Sequence, residues 1–265
     1  MAHRLGTSSS DILTAVDYLR SGGVVGVPTE TVYGLAAAAF NVDAVSEIYR
    51  LKGRPANNPL ILHIHHQDQI DQLATTIPEA LPRLVGAFWP GPLTVVLKSK
   101  KSVPDIVRAG GDTVAIRLPS HSVFQQVLKT IDEPLAAPSA NRSNHISPTT
   151  AFHVEHDFPE DPFPILDAGP TATGLESTVI SLVGAPTVLR LGATPVEALR
   201  EILPELTTHI PEQQVDSPGT SKRHYAPRTP FHIWSNQSLT PEDGVLLFGT
   251  PIPEGVDHVW DLGDD

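Results

Sequence analysis

Proline occupies 26 of the 265 positions, about twice its usual share of roughly 5%. Each proline fixes φ, withdraws a backbone donor and disfavours helix at the residue before it. A chain punctuated this often cannot be built from long helices. It must consist of short elements joined by stiff turns, with polar loops gathered at strand ends. Apolar residues make up 40% of the chain, enough for a real core. The length suits one large domain, or one domain plus part of another.

Several classes are disfavoured at once. No stretch approaches the ~20 consecutive apolar residues of a membrane span. The opening MAHRLGTSSSD lacks the apolar core of a signal peptide. Cysteine is absent, so disulfides and thiolate chemistry are excluded. An intracellular, cytoplasmic protein is the expectation. The formal net charge of −12 argues against general nucleic-acid binding, which needs Lys and Arg to neutralise phosphates. A local basic groove remains open.

Apolar spacing outlines the elements. Ser10 is placed to cap a helix with Ile12, Leu13, Val16 and Leu19 inward, ended by Gly22 and Gly23. Val24 to Val27 is a short buried strand stopped by Pro28. Asp43 can cap a second helix that turns Val45, Ile48, Tyr49 and Leu51 inward. Leu60, Ile61, Leu62 and Ile64 read as a buried strand. Pro78 to Phe88 is helical, with Pro82 expected to kink or split it. Trp89 to Lys98 is a turn feeding a strand, and Thr113 to Pro119 is another strand. A helix over Ser120 to Ile131 and a strand over Leu135 to Ala137 follow. Beyond Pro148 come a helical stretch, a strand at Ile165–Leu166 and two strands joined at Gly184-Ala185-Pro186. A helix from Pro195 to Ile202 closes the region. Strands and helices mix without strict alternation, which predicts an α+β sandwich with a mixed sheet over residues 1–205. Residues 206–230 turn polar and proline-rich and read as a linker. In 231–265, FHIW and GVLLFG look like strands of a second domain, too short here for an independent core.

The familiar nucleotide signatures are missing. There is no G-x-x-x-x-G-K-[ST], no G-x-G-x-x-G and no G-x-S-x-G elbow. His63 with His65, and His153 with His156, lack a suitable third ligand, so no metal site is expected. What remains is a set of short polar clusters at strand ends: PTETVYG, KGRPANNP, AIRLP, PSANRSNHISPT, LEST, LRLG and SPGTSKRHYAP. They offer arginines, lysines, hydroxyls and an asparagine, without a well-placed acid or thiol. That inventory suits the orientation of anionic groups more than covalent catalysis. Lys52 and Arg54, flanking a glycine before a buried strand, suit either a phosphate ligand or a solvated charged turn, and taken alone favour the turn.

In order along the chain, PTETVYGL, KGRPANNPLILHI, WPGPLTVVL, DTVAIRLPSH, APSANRS with SPT, and ESTVI closely resemble the YrdC-like family. SPGTSKRHYAP resembles the linker of its longer, two-domain members, with Thr220 standing where a methionine is more usual. The resemblance implies a YrdC-like α/β sandwich with a twisted mixed sheet, then a linker and the start of a Rossmann-like domain. It implies a nucleotidyltransferase that joins L-threonine, bicarbonate and ATP into threonylcarbamoyl-adenylate and releases pyrophosphate. The product would feed threonylcarbamoylation of tRNA adenosine by a downstream transferase complex, with at most a weak direct tRNA contact.

By the same resemblance, Thr31, His63, Arg117, Ala137 and Ser177 line the threonine pocket. Arg54, Asn58, Thr113, Ser139, Asn141, Ser147, Arg190 and Tyr225 contact ATP. Lys52 and Arg54 meet the triphosphate and act in catalysis, and Mg²⁺ is held mainly by the phosphates. The segment with Tyr225 would fold over the site as a lid. Two other classes compete: a double-stranded RNA-binding or tRNA-binding module, and a carbamoyl-transfer domain of the same fold. The acidic balance speaks against the first. The second would call for attached zinc-finger or acylphosphatase segments, which are not in this sequence.

Overall fold

A capping residue must lie outside the turn it caps, and this rule moves two helix starts. In the computed structural model, which describes residues 3–208, 232–233, 239–248, 252–253 and 256–261, helix α1 spans Ser9–Arg20. Ser8, not Ser10, is its cap, because Ser8 and Asp11 satisfy each other's backbone N–H groups in a capping box. Helix α2 spans Val42–Lys52 and is capped by Asn41, whose side chain accepts from Ala44 N–H; Asp43 instead lies in the first turn. The other helices are α3 (Ile70–Leu73), α4 (Leu81–Phe88), α5 (Asp105–Arg108), α6 (Ser122–Ile131), α7 (Ala151–Asp157) and α8 (Val196–Ile202). Pro82 neither kinks nor splits a helix. It stands in the first turn of α4, where its missing donor costs nothing.

The strands are β1 (His3–Leu5), β2 (Val25–Val27), β3 (Gly34–Ala38), β4 (Ile61–His63), β5 (Leu93–Lys98), β6 (Thr113–Arg117), β7 (Leu135–Ala136), β8 (Pro164–Leu166), β9 (Thr178–Ser181), β10 (Thr187–Arg190) and β11 (Thr207–Thr208). They form one sheet in the order β1-β8-β2-β3-β7-β4-β6-β5-β9-β10-β11. The sheet is mixed: β4 with β6 and β5 with β9 run parallel, while β5 with β6 and β9 with β10 run antiparallel. The hairpin expected at Gly184-Ala185-Pro186 is therefore present. Strand β3 was not expected, since its alanine run lacks the β-branched residues that signal strand; it is buried along its whole length.

Period-two alternation sorts side chains between the two faces of the sheet. Leu62 of β4 with Val114 and Ile116 of β6 enter the larger core, packed with Ile48 and Leu51 of α2 and Leu84 of α4. A second core joins Leu19 of α1 and Phe124 and Val127 of α6 to Val25, Val27 and Leu135. Ile61 and His63 of β4 pair with Ala115 and Arg117 of β6, so these four point away from Leu62 and Ile116. On that face Ile61, Val96, Ala115, Val179 and Leu189 form a small apolar floor.

The chain divides into two compact units, Met1–Pro227 and Arg228–Asp265. In the second, β12 (Gly244–Leu247) pairs in parallel with β13 (His258–Asp261). Val245 and Leu247 are buried while Leu246 is exposed, as expected for a strand with one covered face. Among the described residues no helix is long and apolar enough to cross a membrane.

Candidate active site

Arg117 ends β6, and everything around it is arranged to hold its guanidinium. It is only 3% exposed. Its Nη2 pairs with Glu30 Oε1 at 2.6 Å, Nη1 donates to Thr31 Oγ1 at 3.0 Å, and Nε donates to the Gly91 carbonyl at 3.2 Å. The WPGPL turn exists in part to present that carbonyl. A Cβ on Gly91 would sit 2.4 Å from the Phe88 carbonyl oxygen, so no other residue fits the turn unchanged. Thr31 is fixed in turn by Thr29, whose hydroxyl lies 2.7 Å from its own. A guanidinium carries five N–H donors. Three are engaged, and one on each terminal nitrogen remains for a ligand carboxylate.

The KGR stretch works through its glycine. Gly53 closes α2 in the left-handed region at φ 58°, which reverses the chain and sends Arg54 back over the following loop. Arg54 donates to the Asn58 carbonyl, the Asn58 Oδ1 and the Pro59 carbonyl at 3.0, 2.6 and 2.7 Å. Burial pushes its guanidinium down to about 10. Asn58 thus supports Arg54 and is itself buried. Lys52 has a different place from the one expected. The residue is 3% exposed, and its ammonium donates to the carbonyls of Ser139 and Asn141 at 2.6 and 2.5 Å. It fastens the PSAN loop from behind and does not line the pocket. Burial, and then the neighbouring Arg54, push it down to about 7.

LEST and LRLG meet through another glycine. A Cβ on Gly192 would lie 2.4 Å from the Glu176 carbonyl oxygen and 2.5 Å from Ser177 C, so only glycine lets β10 leave this close to β9. Ala193 N–H then donates to the Glu176 carbonyl at 2.9 Å. Arg190 Nη2 donates to the Ser177 carbonyl and hydroxyl at 2.8 and 3.0 Å and lies 3.6 Å from Glu176 Oε2. Ser147 Oγ donates to Glu176 Oε1 at 2.8 Å.

One pocket brings together Thr31, His63, Arg117 and Ala137 with Arg54, Ser139 and Arg190. Seven residues from both expected subsites therefore share a wall. Ser177 is wholly buried; it stands outside the pocket lining, with its hydroxyl against Arg190 and Thr94. Asn58, Asn141 and Ser147 stand behind the wall, Asn141 donating to the Arg142 and His145 carbonyls. Thr113 begins β6 and Arg117 ends it, so these two lie at opposite ends of the strand. Tyr225 and the lid segment fall outside the described residues. His63 packs against Phe124, with ring centroids 5.4 Å apart. Burial, and then Arg117, push it down to about 3, which keeps the ring neutral. Its buried Nδ1 has no partner. Among the described residues no set of three potential ligands could hold a metal ion.

The expectation of no well-placed acid is corrected. Glu30 grips Arg117, and Glu176 is part of the pocket wall. Both acids stand inside motifs already singled out, ETVYG and EST. Their spacing to the arginines they meet, 87 and 14 residues, gave no local signal.

Comparisons with known proteins follow the same outline. The family described as telomere recombination, Sua5/YciO/YrdC, matches residues 17–192, and a threonylcarbamoyl-AMP synthase C-terminal domain matches 194–250. The chain is 45% identical over 222 residues to the threonylcarbamoyl-AMP synthase of Pyrococcus abyssi, covering 82% of this chain and 65% of the relative. It is 42% identical over 237 residues to that of Bacillus subtilis, covering 86% and 68%. The chain thus spans about two thirds of the length of these relatives. The crystal structure of P. abyssi Sua5 complexed with L-threonine superposes with a TM-score of 0.86 at 34% identity, covering 100% of this chain and 84% of that one. E. coli YciO shares the fold, with a TM-score of 0.68 at 23% identity, covering 74% and 98%. With a family match over most of the first unit, and relatives 42–45% identical over most of this chain, this chain belongs to the Sua5/YciO/YrdC family.

Proposed function

We propose that the chain is an L-threonylcarbamoyladenylate synthase, forming threonylcarbamoyl-AMP and pyrophosphate from L-threonine, bicarbonate and ATP. The observation that carries this reading is the single pocket in which a carboxylate-ready Arg117 faces the same space as Arg54 and Arg190. An amino acid and a polyphosphate would lie side by side there. The threonine amine and bicarbonate form a carbamate with loss of water. A carbamate oxygen attacks the α-phosphorus, and pyrophosphate departs. No protein nucleophile is needed, and the work is positioning and charge neutralisation.

In this reading the two remaining Arg117 donors take the threonine carboxylate as a fork. Neutral His63 offers its unpartnered nitrogen to the threonine hydroxyl, and Ala137 borders the same space. Arg54 and Arg190 hold the phosphates. Lys52 acts indirectly, by fixing the Ser139 loop against them. Asn58, Asn141, Ser147 and Ser177 act as supports of that wall. Thr113 and Tyr225 remain proposed ATP contacts by resemblance. Mg²⁺ would enter with ATP and screen the phosphates' charge.

The product would serve tRNA threonylcarbamoylation in the cytoplasm, handed to a transferase complex. The proposed organisation is a catalytic domain over 1–205, a linker over 206–230 and a Rossmann-like start over 231–265. The parallel pairing of β12 with β13 supports the last of these. The test is pyrophosphate release from ATP. It should require both threonine and bicarbonate; equal release without threonine would refute the reading.

A further inference from the structure

Glu176 is an acid where an anion site was expected. It lines the pocket, its Oε2 lies 3.6 Å from Arg190, and its field reaches both Lys52 and Arg54. A carboxylate among cations weakens their hold on a bare polyphosphate, since each added negative charge repels the ligand. Its backbone is nonetheless held from two sides, by the Ala193 N–H and by the close pass of Gly192. Ser147 orients one of its oxygens. A cost to phosphate binding is built into the site with some care.

A divalent cation resolves this. Mg²⁺ is typically held by one or two carboxylates plus substrate phosphates and keeps several waters. A single hard oxygen donor in the wall of a phosphate pocket fits that pattern, whereas a closed protein cage of three or more acidic or histidine ligands is absent among the described residues. Ser147 and Arg190 both meet the Glu176 carboxylate, and Arg190 also holds the neighbouring Ser177. Resting on the synthase reading above, we propose that Glu176 is the protein ligand, direct or through one water, of the Mg²⁺ that accompanies ATP. It thereby selects Mg-ATP over free ATP.

The two roles of the carboxylate predict effects of opposite sign. ATP affinity is measured by calorimetry on the full chain, with Mg²⁺ and with EDTA. Glu176→Gln should weaken ATP binding in Mg²⁺ by about tenfold or more, the scale of one charge-assisted contact. In EDTA the same variant should bind ATP as well as the wild type or more tightly. Manganese with ATP gives a second readout: the paramagnetic signal of the bound ion should change in Glu176→Gln. Equal shifts of affinity in the same direction with and without the metal would overturn the proposal. Should Glu176→Gln fail to fold, Glu176→Asp carries the comparison. Its shorter arm must reduce the Mg²⁺ advantage without changing metal-free affinity, and an undiminished advantage overturns the proposal. Wild type that binds no ATP in either condition would instead remove the synthase reading itself, and this proposal with it.

Discussion

Arg117 and Arg54 enter the same pocket with opposite electrostatic support. Arg117 is paired with Glu30 at 2.6 Å inside the fold. Arg54 meets neutral acceptors, the Asn58 and Pro59 carbonyls and the Asn58 amide oxygen. The difference matches the two proposed ligands. An amino acid arrives as a zwitterion, so its receptor has little net charge to lose when the carboxylate docks. A triphosphate brings its own negative charge, so its receptor can keep a guanidinium without a touching acid. Burial then pushes Arg54 down to about 10, a strain that a bound phosphate would relieve. Charge left uncompensated within the fold marks where a charged ligand completes it.

The largest effect should come from cutting the compensated pair. Arg117→Ala leaves the largely buried Glu30 carboxylate without its partner, which costs up to about 3–5 kcal/mol, read as a lower denaturation midpoint. Arg54→Ala strands no acid. It should lower stability much less and instead weaken ATP binding by about 1.5–3 kcal/mol, with threonine binding retained in calorimetry. Equal loss of stability in the two variants would break the comparison.

The selectivity of the Arg117 end sharpens it further. Serine keeps the hydroxyl of threonine and lacks one methyl, worth roughly 1–3 kcal/mol in a fitted pocket. Serine should therefore support pyrophosphate release weakly rather than not at all. Equal catalytic efficiency for the two amino acids would move the amino-acid subsite elsewhere.

The smallest effect concerns pH. His63 takes up a proton near 6.5 when unfolded but only near 3 in the fold. Between those values the unfolded chain binds more protons, so stability is present above 6.5 and is lost as pH falls toward 3. The wild-type melting temperature should drop on acidification from pH 6.5 to 5, before most carboxylates titrate. His63→Leu should show a shallower drop; an identical slope would mean that His63 is not held neutral.

Much of the frame was legible before any coordinates. The buried runs at Val24–Val27, Leu60–Ile64, Leu93–Lys98 and Thr113–Arg117 became strands because apolar and β-branched runs bounded by Pro and Gly have few alternatives. Strand β3 was not, because Gly34–Ala38 carries no local strand preference and is fixed by its pairing with β2, β7 and Ser139. The helix caps at Ser8 and Asn41 were off by two residues, since several polar residues crowd each start and backbone geometry chooses among them. Thr31, His63, Arg54, Arg117, Ala137, Ser139 and Arg190 were named from motifs and meet in one pocket. Glu30 and Glu176 were passed over, because acids within a loop look like solvated surface until their partners are known.

By itself the sequence determined which residue types stand at strand ends, that thiol chemistry is excluded, and which segments must turn. Those are local properties, set by φ restriction, side-chain chemistry and apolar period. The tertiary structure alone decided that Lys52 faces two carbonyls while Arg54, two residues on, faces the pocket. It also decided that Arg117 and Arg190 each acquire an acid. The physical reason is that charge pairing and burial depend on distance in space. The left-handed turn at Gly53 and the close pass at Gly192 set those distances, and sequence separation does not encode them.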